Sequence, residues 1–266
     1  MAKPCRVKVL VLILTALMLA FVPWHQTAAA DGDFHLTVLH VNDPHAHLWE
    51  TEDRLLIDQT PIWLPSGGFG RLAAKIKQIR AKSKNTLLLH AGDVFQGTLY
   101  FTKYHGLADL DLMNRMGFDA MAVGNHEFDL GPATLAQFAS QARFPVLSAN
   151  IDVSGEPLLS GLIKPMVIKE VGGRKIGIIG ATTPATTHMS SPGPKVKFES
   201  VAPVIGQWVQ KLSYQGVNII IVLSHLGLDA DIKLAHMVPG IDVILGGHSH
   251  TLLGDFGSLG LPTAGP

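Results

Sequence analysis

The run Ala120-Met121-Ala122-Val123-Gly124-Asn125-His126-Glu127-Phe128-Asp129 reads as a short apolar strand that empties into a polar loop. Asn125 offers a neutral oxygen, His126 an imidazole that titrates near neutrality, and Asp129 a carboxylate able to hold that imidazole in one tautomer. That set suits metal-assisted acid-base chemistry. The same hexapeptide from Gly124 to Asp129 also reads as a plain turn, with Asn125 capping it and His126 bonded to backbone. The remainder of the chain decides between the two.

Outward from this loop, other apolar runs end in the same way. Residues 34–41 alternate as a strand and finish at Asn42-Asp43-Pro44-His45. On an extended backbone Asp43 and His45, two apart, would point to the same side and reach one ion; the alternative is a solvated Asn-Asp-Pro turn. Residues 86–90 form a short buried strand followed by Ala91-Gly92-Asp93, residues 217–223 exit at Ser224-His225, and residues 241–245 exit at Gly246-Gly247-His248-Ser249-His250. Five strand exits therefore carry hard oxygen or imidazole groups: Asp43 and His45, Asp93, Asn125 and His126, His225, and His248 with His250. In an open α/β sheet the loops at the strand C-termini converge on one edge, so five such exits point to a shared site. His35, His40, His47, His90, His105 and His236 lack this placement and are assigned to core or surface.

Between these strands the periodicity predicts helices over 72–81, 104–116, 134–143, 202–214 and 229–237, a strand over 146–150, and a hairpin of 166–171 with 175–181 around Gly172-Gly173-Arg174. Residues 49–65, with Pro61 and Pro65, read as an irregular surface loop. Residues 182–196 read as a long loop in which His188 and Met189 face either a pocket or solvent. Ser66-Gly67-Gly68-Phe69-Gly70 completes no phosphate-loop pattern and is read as a turn and cap.

Lys3, Arg6 and Lys8, the apolar run 9–22 and Ala28-Ala29-Ala30 together form a secretory signal peptide over residues 1–30. The apolar run, about 14 residues, is short of the roughly 20 a spanning helix needs. The expected mature chain is thus periplasmic or secreted, with no membrane anchor. Cys5, the single cysteine, lies in the basic segment and leaves with the peptide. Any transition metal must then be held by His, Asp, Glu and Asn. Cleavage leaves 18 basic against 21 acidic residues, which lacks the positive excess used to grip long nucleic acid and favours a small-molecule partner. The remaining 236 residues suit one large α/β domain, 31–266.

Asp43-Pro44-His45, Gly92-Asp93, Gly124-Asn125-His126-Glu127, Ser224-His225 and Gly247-His248-Ser249-His250 stand in the order and form of the calcineurin-like metallophosphoesterases, which the chain resembles over residues 36–251. Gln96-Gly97, Phe128-Asp129 and Thr251 are similar to the secreted 5'-nucleotidase and 2',3'-cyclic-nucleotide phosphodiesterase branch. The resemblance implies a four-layer α-β-β-α sandwich holding two divalent ions drawn from Zn, Mn or Co. It places Asp43, His45 and His250 on one ion, Asn125, His225 and His248 on the other, and Asp93 between them. It further implies hydrolysis of nucleotide phosphate esters by a metal-bridging hydroxide, with His126, oriented by Asp129, stabilising the transition state and assisting the leaving alkoxide.

Pro44 and Ala46 depart from residues common in the family; both stiffen the loop without removing a ligand. The family also has further strands closing this domain and a second domain that binds the nucleoside, so the fold is expected to be C-terminally incomplete. Two other readings remain: a thiosulfohydrolase-like enzyme of sulfur oxidation on the same scaffold, and a non-catalytic surface binding protein. Gly-His-Ser-His-Thr and the intact ligand set favour the nucleotidase. The sequence sets no oligomeric state.

Overall fold

The computed structural model describes residues 33–57, 60–252, 254 and 257; the predicted signal peptide and the last residues of the chain lie outside the described residues. In chain order the elements are β1 (Thr37–Val41), β2 (Glu50–Ile57), β3 (Thr60–Gly67), α1 (Phe69–Arg80), β4 (Thr86–His90), α2 (Leu99–Tyr104), α3 (Leu107–Met116) and β5 (Ala120–Ala122). There follow α4 (Pro132–Gln141), β6 (Val146–Leu147), β7 (Ile151–Asp152), β8 (Ile163–Lys164), β9 (Met166–Val171), β10 (Arg174–Thr182) and α5 (Thr186–Met189). The last are β11 (Lys197–Phe198), α6 (Val201–Tyr214), β12 (Ile219–His225), α7 (Leu228–Met237) and β13 (Val243–Leu245). Among the described residues no helix is long and apolar enough to cross a membrane.

Two sheets, not one, carry the five exits. The first is wholly parallel in the order β1-β4-β5-β6-β8. The second runs β13-β12-β10-β9, its first three strands parallel and β9 antiparallel in the expected hairpin. Strand alternation sorts the apolar side chains into three layers. Leu87 and Leu89 of β4 meet Ile176 and Ile178 of β10 and Ile221 and Leu223 of β12 between the sheets. Leu88 and Met121 turn outward under the helices carrying Ile76, Met113 and Phe138, and Ile179, Ile220 and Val222 turn outward under Ile205, Val209 and Leu234. Burial on both faces is why these strands read as continuous apolar runs. The result is an α-β-β-α sandwich.

Polar groups stitch the two sheets near one end. The Thr182 hydroxyl at the end of β10 donates to the Val123 carbonyl just past β5 at 2.6 Å. Buried Asn150 accepts from Thr182 N–H at 2.9 Å and donates to its carbonyl at 2.8 Å. Register keeps the strand ends level: Val41 lies opposite His90, Thr182 opposite His225, and Leu223 opposite Leu245. The expected convergence on one edge is therefore realised at the adjacent edges of two stacked sheets.

Two sequence expectations are corrected. Within residues 49–65, the segments 50–57 and 60–65 are not irregular, because β2 and β3 pair antiparallel along their length. A two-stranded ribbon leaves one side of each strand unpaired, so Pro61 and Pro65 cost no ladder bond there. The helix expected over 104–116 starts later, as α3 at Leu107, and is parted from α2, which ends at Tyr104, by His105 and Gly106, both in the left-handed region (φ 51° and 84°). A Cβ on Gly106 would lie 2.1 Å from the Phe95 ring, so the break makes room for that fully buried side chain.

Asp109 of α3 is fully buried, and neither carboxylate oxygen has a hydrogen-bond partner among the described residues. Burial first, and the nearby Glu127 carboxylate second, push its carboxyl up to about 7. A raised acid gives the native state an advantage that is complete below the ordinary carboxylate range and lost as pH rises through about 7. Asp109→Asn should therefore raise Tm more at pH 8 than at pH 5. Thermal unfolding at the two pH values measures this, and an equal effect at both would show that Asp109 is already ionised in the fold at pH 5.

Candidate metal centre

The loops after β1 and β4 run side by side. Asp43 N–H donates to the Gly92 carbonyl at 3.1 Å, His45 N–H to that of Asp93 at 3.2 Å, and Ala46 N–H to that of Val94 at 3.0 Å. The backbone is not extended at Asp43 and His45, as the sequence had suggested; both are left-handed, with φ of 49° and 45°. Asp93, His248 and His250 share that region at φ of 56°, 75° and 51°. Five site residues thus hold a conformation that costs a non-glycine residue of order 1–3 kcal/mol each. Strain of this kind persists only where neighbours over-determine it. Here the β1 ladder ends at Val41, and the chain must turn at once to follow the β4 loop.

The loops are close enough to need bare backbone. A Cβ on Gly124 would lie 2.2 Å from Asp93 Oδ1, and one on Gly92 would lie 2.7 Å from Gly124 N and 2.8 Å from His225 Nδ1. Into this junction reaches Glu127, in a single 3₁₀ turn formed by His126–Phe128. Its Oε2 accepts from the N–H of Asp93 (2.9 Å) and Gly124 (2.7 Å), and its Oε1 from those of Val94 (2.8 Å) and Phe95 (3.3 Å). Burial, then the charge of Asp93, push this carboxyl up to about 7 against the pull of the amides.

Two clusters of ligand atoms form at the edge. Asp43, His45 and His250 make one; Asp93, His225 and His248 make the other, with the chosen atoms of each within 4.8 Å of one another. Asn125 adjoins the second, its Oδ1 at 3.2 Å from His225 Nε2. Asp93 Oδ2 lies 3.0 Å from His225 Nε2 and 4.0 Å from His45 Nε2, so this carboxylate faces both clusters. Asp43 is held by His248 N–H, 3.0 Å from each carboxylate oxygen.

The donor set fits divalent cations. His225 Nδ1 faces the Ala91 carbonyl at 2.7 Å and His45 Nδ1 faces that of Phe95 at 3.0 Å, which assigns the Nδ1–H tautomer to each neutral ring and turns both Nε2 lone pairs toward the clusters. The His225 lone pair meets further acceptors, the Asp93 and Asn125 oxygens, and His45 Nε2 meets His250 Nε2 at 3.1 Å, a pair that needs either a shared proton or a cation. Acceptors facing acceptors call for a cation between them. In the metal-free protein a proton fills the role at His225: burial pulls the ring down, but the Asp93 hydrogen bond and charge prevail and push it up to about 9. A divalent ion would displace that proton.

His126, half-buried beside the clusters, has its ring 5.2 Å from the His45 ring, edge to face. Its Nδ1 lies 2.7 Å from Asp129 Oδ2. Burial lowers its affinity for a proton, yet the Asp129 hydrogen bond and the charges of Asp93, Asp129 and Glu127 together outweigh this and raise it above the ordinary histidine value. Asp129 also accepts from Gln96 Nε2 (2.9 Å) and Ser190 Oγ (2.7 Å). Beside the first cluster an open cavity of about 640 Å³, with Asp43, His45, His47, Arg71, Lys75 and His250 in its wall, has room for a ligand larger than phosphate.

The sequence model of the calcineurin-like phosphoesterases matches residues 36–252. The chain belongs to the calcineurin-like phosphoesterase family. Among curated relatives, a probable 5'-nucleotidase of Treponema pallidum is 42% identical over 250 residues, covering 93% of this chain and 42% of that protein. Among solved structures, a 5'-nucleotidase precursor of Thermus thermophilus superposes with a TM-score of 0.81 at 52% identity, covering 88% of this chain and 45% of that one. The NAD nucleotidase of Haemophilus influenzae does so with a TM-score of 0.79 at 41% identity, covering 85% and 40%. This calcineurin-like phosphoesterase chain spans less than half the length of those relatives.

All seven sequence-predicted ligand positions and the His126–Asp129 pair of this phosphoesterase meet at the one edge. His188 and Met189 are exposed, and the residue of their loop that reaches the site is Ser190. Glu127 and Gln96 entered the sequence reading only inside quoted motifs, with no role assigned, and Ser190 not at all. Glu127 sat inside the quoted motif with no signal but its position between His126 and an apolar Phe128.

Glu127→Gln keeps the shape but replaces one acceptor oxygen with a donor, so N–H groups would face N–H groups in a dry site. The expected loss is about 3 kcal/mol of unfolding free energy, read by urea denaturation of the metal-free protein at pH 8. A loss below about 0.5 kcal/mol, typical of a surface substitution, would mean the cradle does not hold the loops.

Proposed function

We propose that the chain is the metal-binding catalytic domain of an exported phosphohydrolase that cleaves phosphate esters of nucleotides, of 5'-nucleotidase or 2',3'-cyclic-nucleotide phosphodiesterase type. The observation that carries the reading is the pair of ligand clusters facing one Asp93, with the His126–Asp129 pair beside them. We assign Asp43, His45 and His250 to one ion, Asn125, His225 and His248 to the other, and Asp93 to both. Zn, Mn and Co all suit such imidazole and oxygen ligands. The signal-peptide pattern over residues 1–30 supports export, as does likeness to a protein described as a precursor. Selection of the nucleoside we assign to parts of such a protein outside this domain, which spans 42% of the Treponema pallidum relative.

Bound divalent ions supply positive charge for the phosphoryl oxygens and a water acidic enough to serve as nucleophile near neutral pH. The chain's own residues supply the rest. Asp93 and Asp43, both held by backbone N–H groups of neighbouring loops, keep their oxygens aimed at the clusters. His126, with Nδ1–H given to Asp129, keeps Nε2 for the substrate and can hand the leaving oxygen a proton. Its raised proton affinity keeps it charged nearer neutral pH than an ordinary histidine. Such a group matters most when the leaving oxygen is a basic sugar alkoxide.

Asp93→Ala and His126→Ala separate metal holding from proton transfer. The first should lose bound metal and phosphate release from AMP together; the second should keep its metal and lose roughly 10²–10⁴-fold in kcat. Metal content by plasma spectrometry beside phosphate release measures both. Equal metal loss in the two variants would make His126 a ligand instead. Release of sulfate from thiosulfate conjugates, without phosphate release from any nucleotide, would turn the reading to a thiosulfohydrolase.

A further inference from the structure

We infer that Ser190 and Gln96 are positioning residues that lock Asp129, and through it His126, in the one orientation from which His126 can protonate a departing sugar oxygen. The inference rests on the reading of His126 as proton donor. Asp129 takes three donors on two oxygens: His126 Nδ1 and Gln96 Nε2 on Oδ2, and Ser190 Oγ on Oδ1. They come from three different places in the fold. Gln96 follows β4 of the first sheet, Asp129 and His126 follow β5 of the same sheet, and Ser190 follows α5, beyond β10 of the second sheet.

A carboxylate with a single partner can rotate about its side-chain torsions and let the imidazole swing. One gripped on both oxygens by two different segments cannot do so without breaking two hydrogen bonds. The two donor positions are themselves constrained. Gln96 holds φ of 76°, strained for a side-chain-bearing residue, and the next residue is Gly97, where a Cβ would lie 2.2 Å from the His45 carbonyl. Ser190 caps the C-terminal end of α5, and its N–H is spent on the Thr186 carbonyl at 3.1 Å. The Asp129 carboxylate is thus acceptor-only on every side, which leaves the imidazole no tautomer but Nδ1–H toward Asp129 and Nε2 toward the substrate.

Neither Ser190 nor Gln96 touches an atom of the two ligand clusters among the described contacts, so the metals and the phosphoryl group should not feel their loss. The leaving group should. A p-nitrophenolate departs without a proton, whereas the 5'-oxygen of a nucleoside needs one. The test compares kcat and KM on AMP and on p-nitrophenyl phosphate for the full-length protein and for Ser190→Ala, Gln96→Ala, Ser190→Thr and His126→Ala, with metal content measured in each.

We expect Ser190→Ala and Gln96→Ala to lose about tenfold in kcat on AMP, a loss at least five times larger than on p-nitrophenyl phosphate, with KM and metal content held. Ser190→Thr, which returns the hydroxyl, should recover most of the AMP rate. In the metal-free protein the His126 Nδ1 proton should resonate far downfield by NMR, and that signal should weaken in Ser190→Ala.

Equal losses on the two esters would show that Ser190 and Gln96 only support the loop, and would overturn the inference. A selective loss in His126→Ala without one in Ser190→Ala or Gln96→Ala would overturn it while leaving the role of His126 intact. Equal losses on both esters in His126→Ala would instead remove the proton-donor reading itself, and the inference with it.

Discussion

The Glu127 carboxylate accepts four backbone N–H groups from two loops, and the placement of the whole edge follows from that contact. One of the amides belongs to Gly124, next to Asn125; the others belong to residues 93–95. A single side chain therefore sets how far Asn125 stands from Asp93. Magnitudes show why so much is concentrated there. A hydrogen bond to a charged group contributes about 1.5–3 kcal/mol, while left-handed Asp93 costs of order 1–3 kcal/mol. Two of the four bonds suffice to offset the strain, and the others hold the second loop.

Core packing reaches the site by a second route. The Phe95 ring fills the space where Gly106 lacks a side chain, and the Phe95 carbonyl fixes the proton on His45. The Ala91 carbonyl does the same for His225. Both rings thus receive their tautomer from the main chain of the β4 exit, whose position is set by burial of Leu87, Leu88 and Leu89. Hydrophobic register, through two carbonyls, decides which nitrogen lone pairs are free to bind.

Much of this was legible beforehand because an apolar run ending in Asp, Asn or His carries its own direction. The exits of β1, β4, β5, β12 and β13 could be read without any structure. The pattern could not divide the strands between two sheets, since β5 and β12 are buried on both faces and look alike; the stacked arrangement came from family resemblance alone. The left-handed turns at Asp43, His45, Asp93, His248 and His250 were not legible because Asp and His, though enriched at positive φ, mostly lie elsewhere. Residues 104–116 have unbroken helical periodicity, and what delays the helix to Leu107 is the Phe95 ring packed against Gly106. Glu127 was hidden for a related reason: an acid in a polar loop reads as solvent-facing until burial is known.

Each cluster draws ligands from both sheets: Asp43 and His45 from the first with His250 from the second, and Asp93 from the first with His225 and His248 from the second. The span from residue 43 to residue 250 means that neither cluster exists until nearly the whole described domain has folded. No nascent or partly folded form can sequester an ion at full strength, because binding free energy is available only to the assembled geometry. The occupant is then drawn from the ions available where folding finishes. Imidazole and carboxylate groups discriminate weakly among divalent transition ions, so supply at that moment governs occupancy more than affinity does.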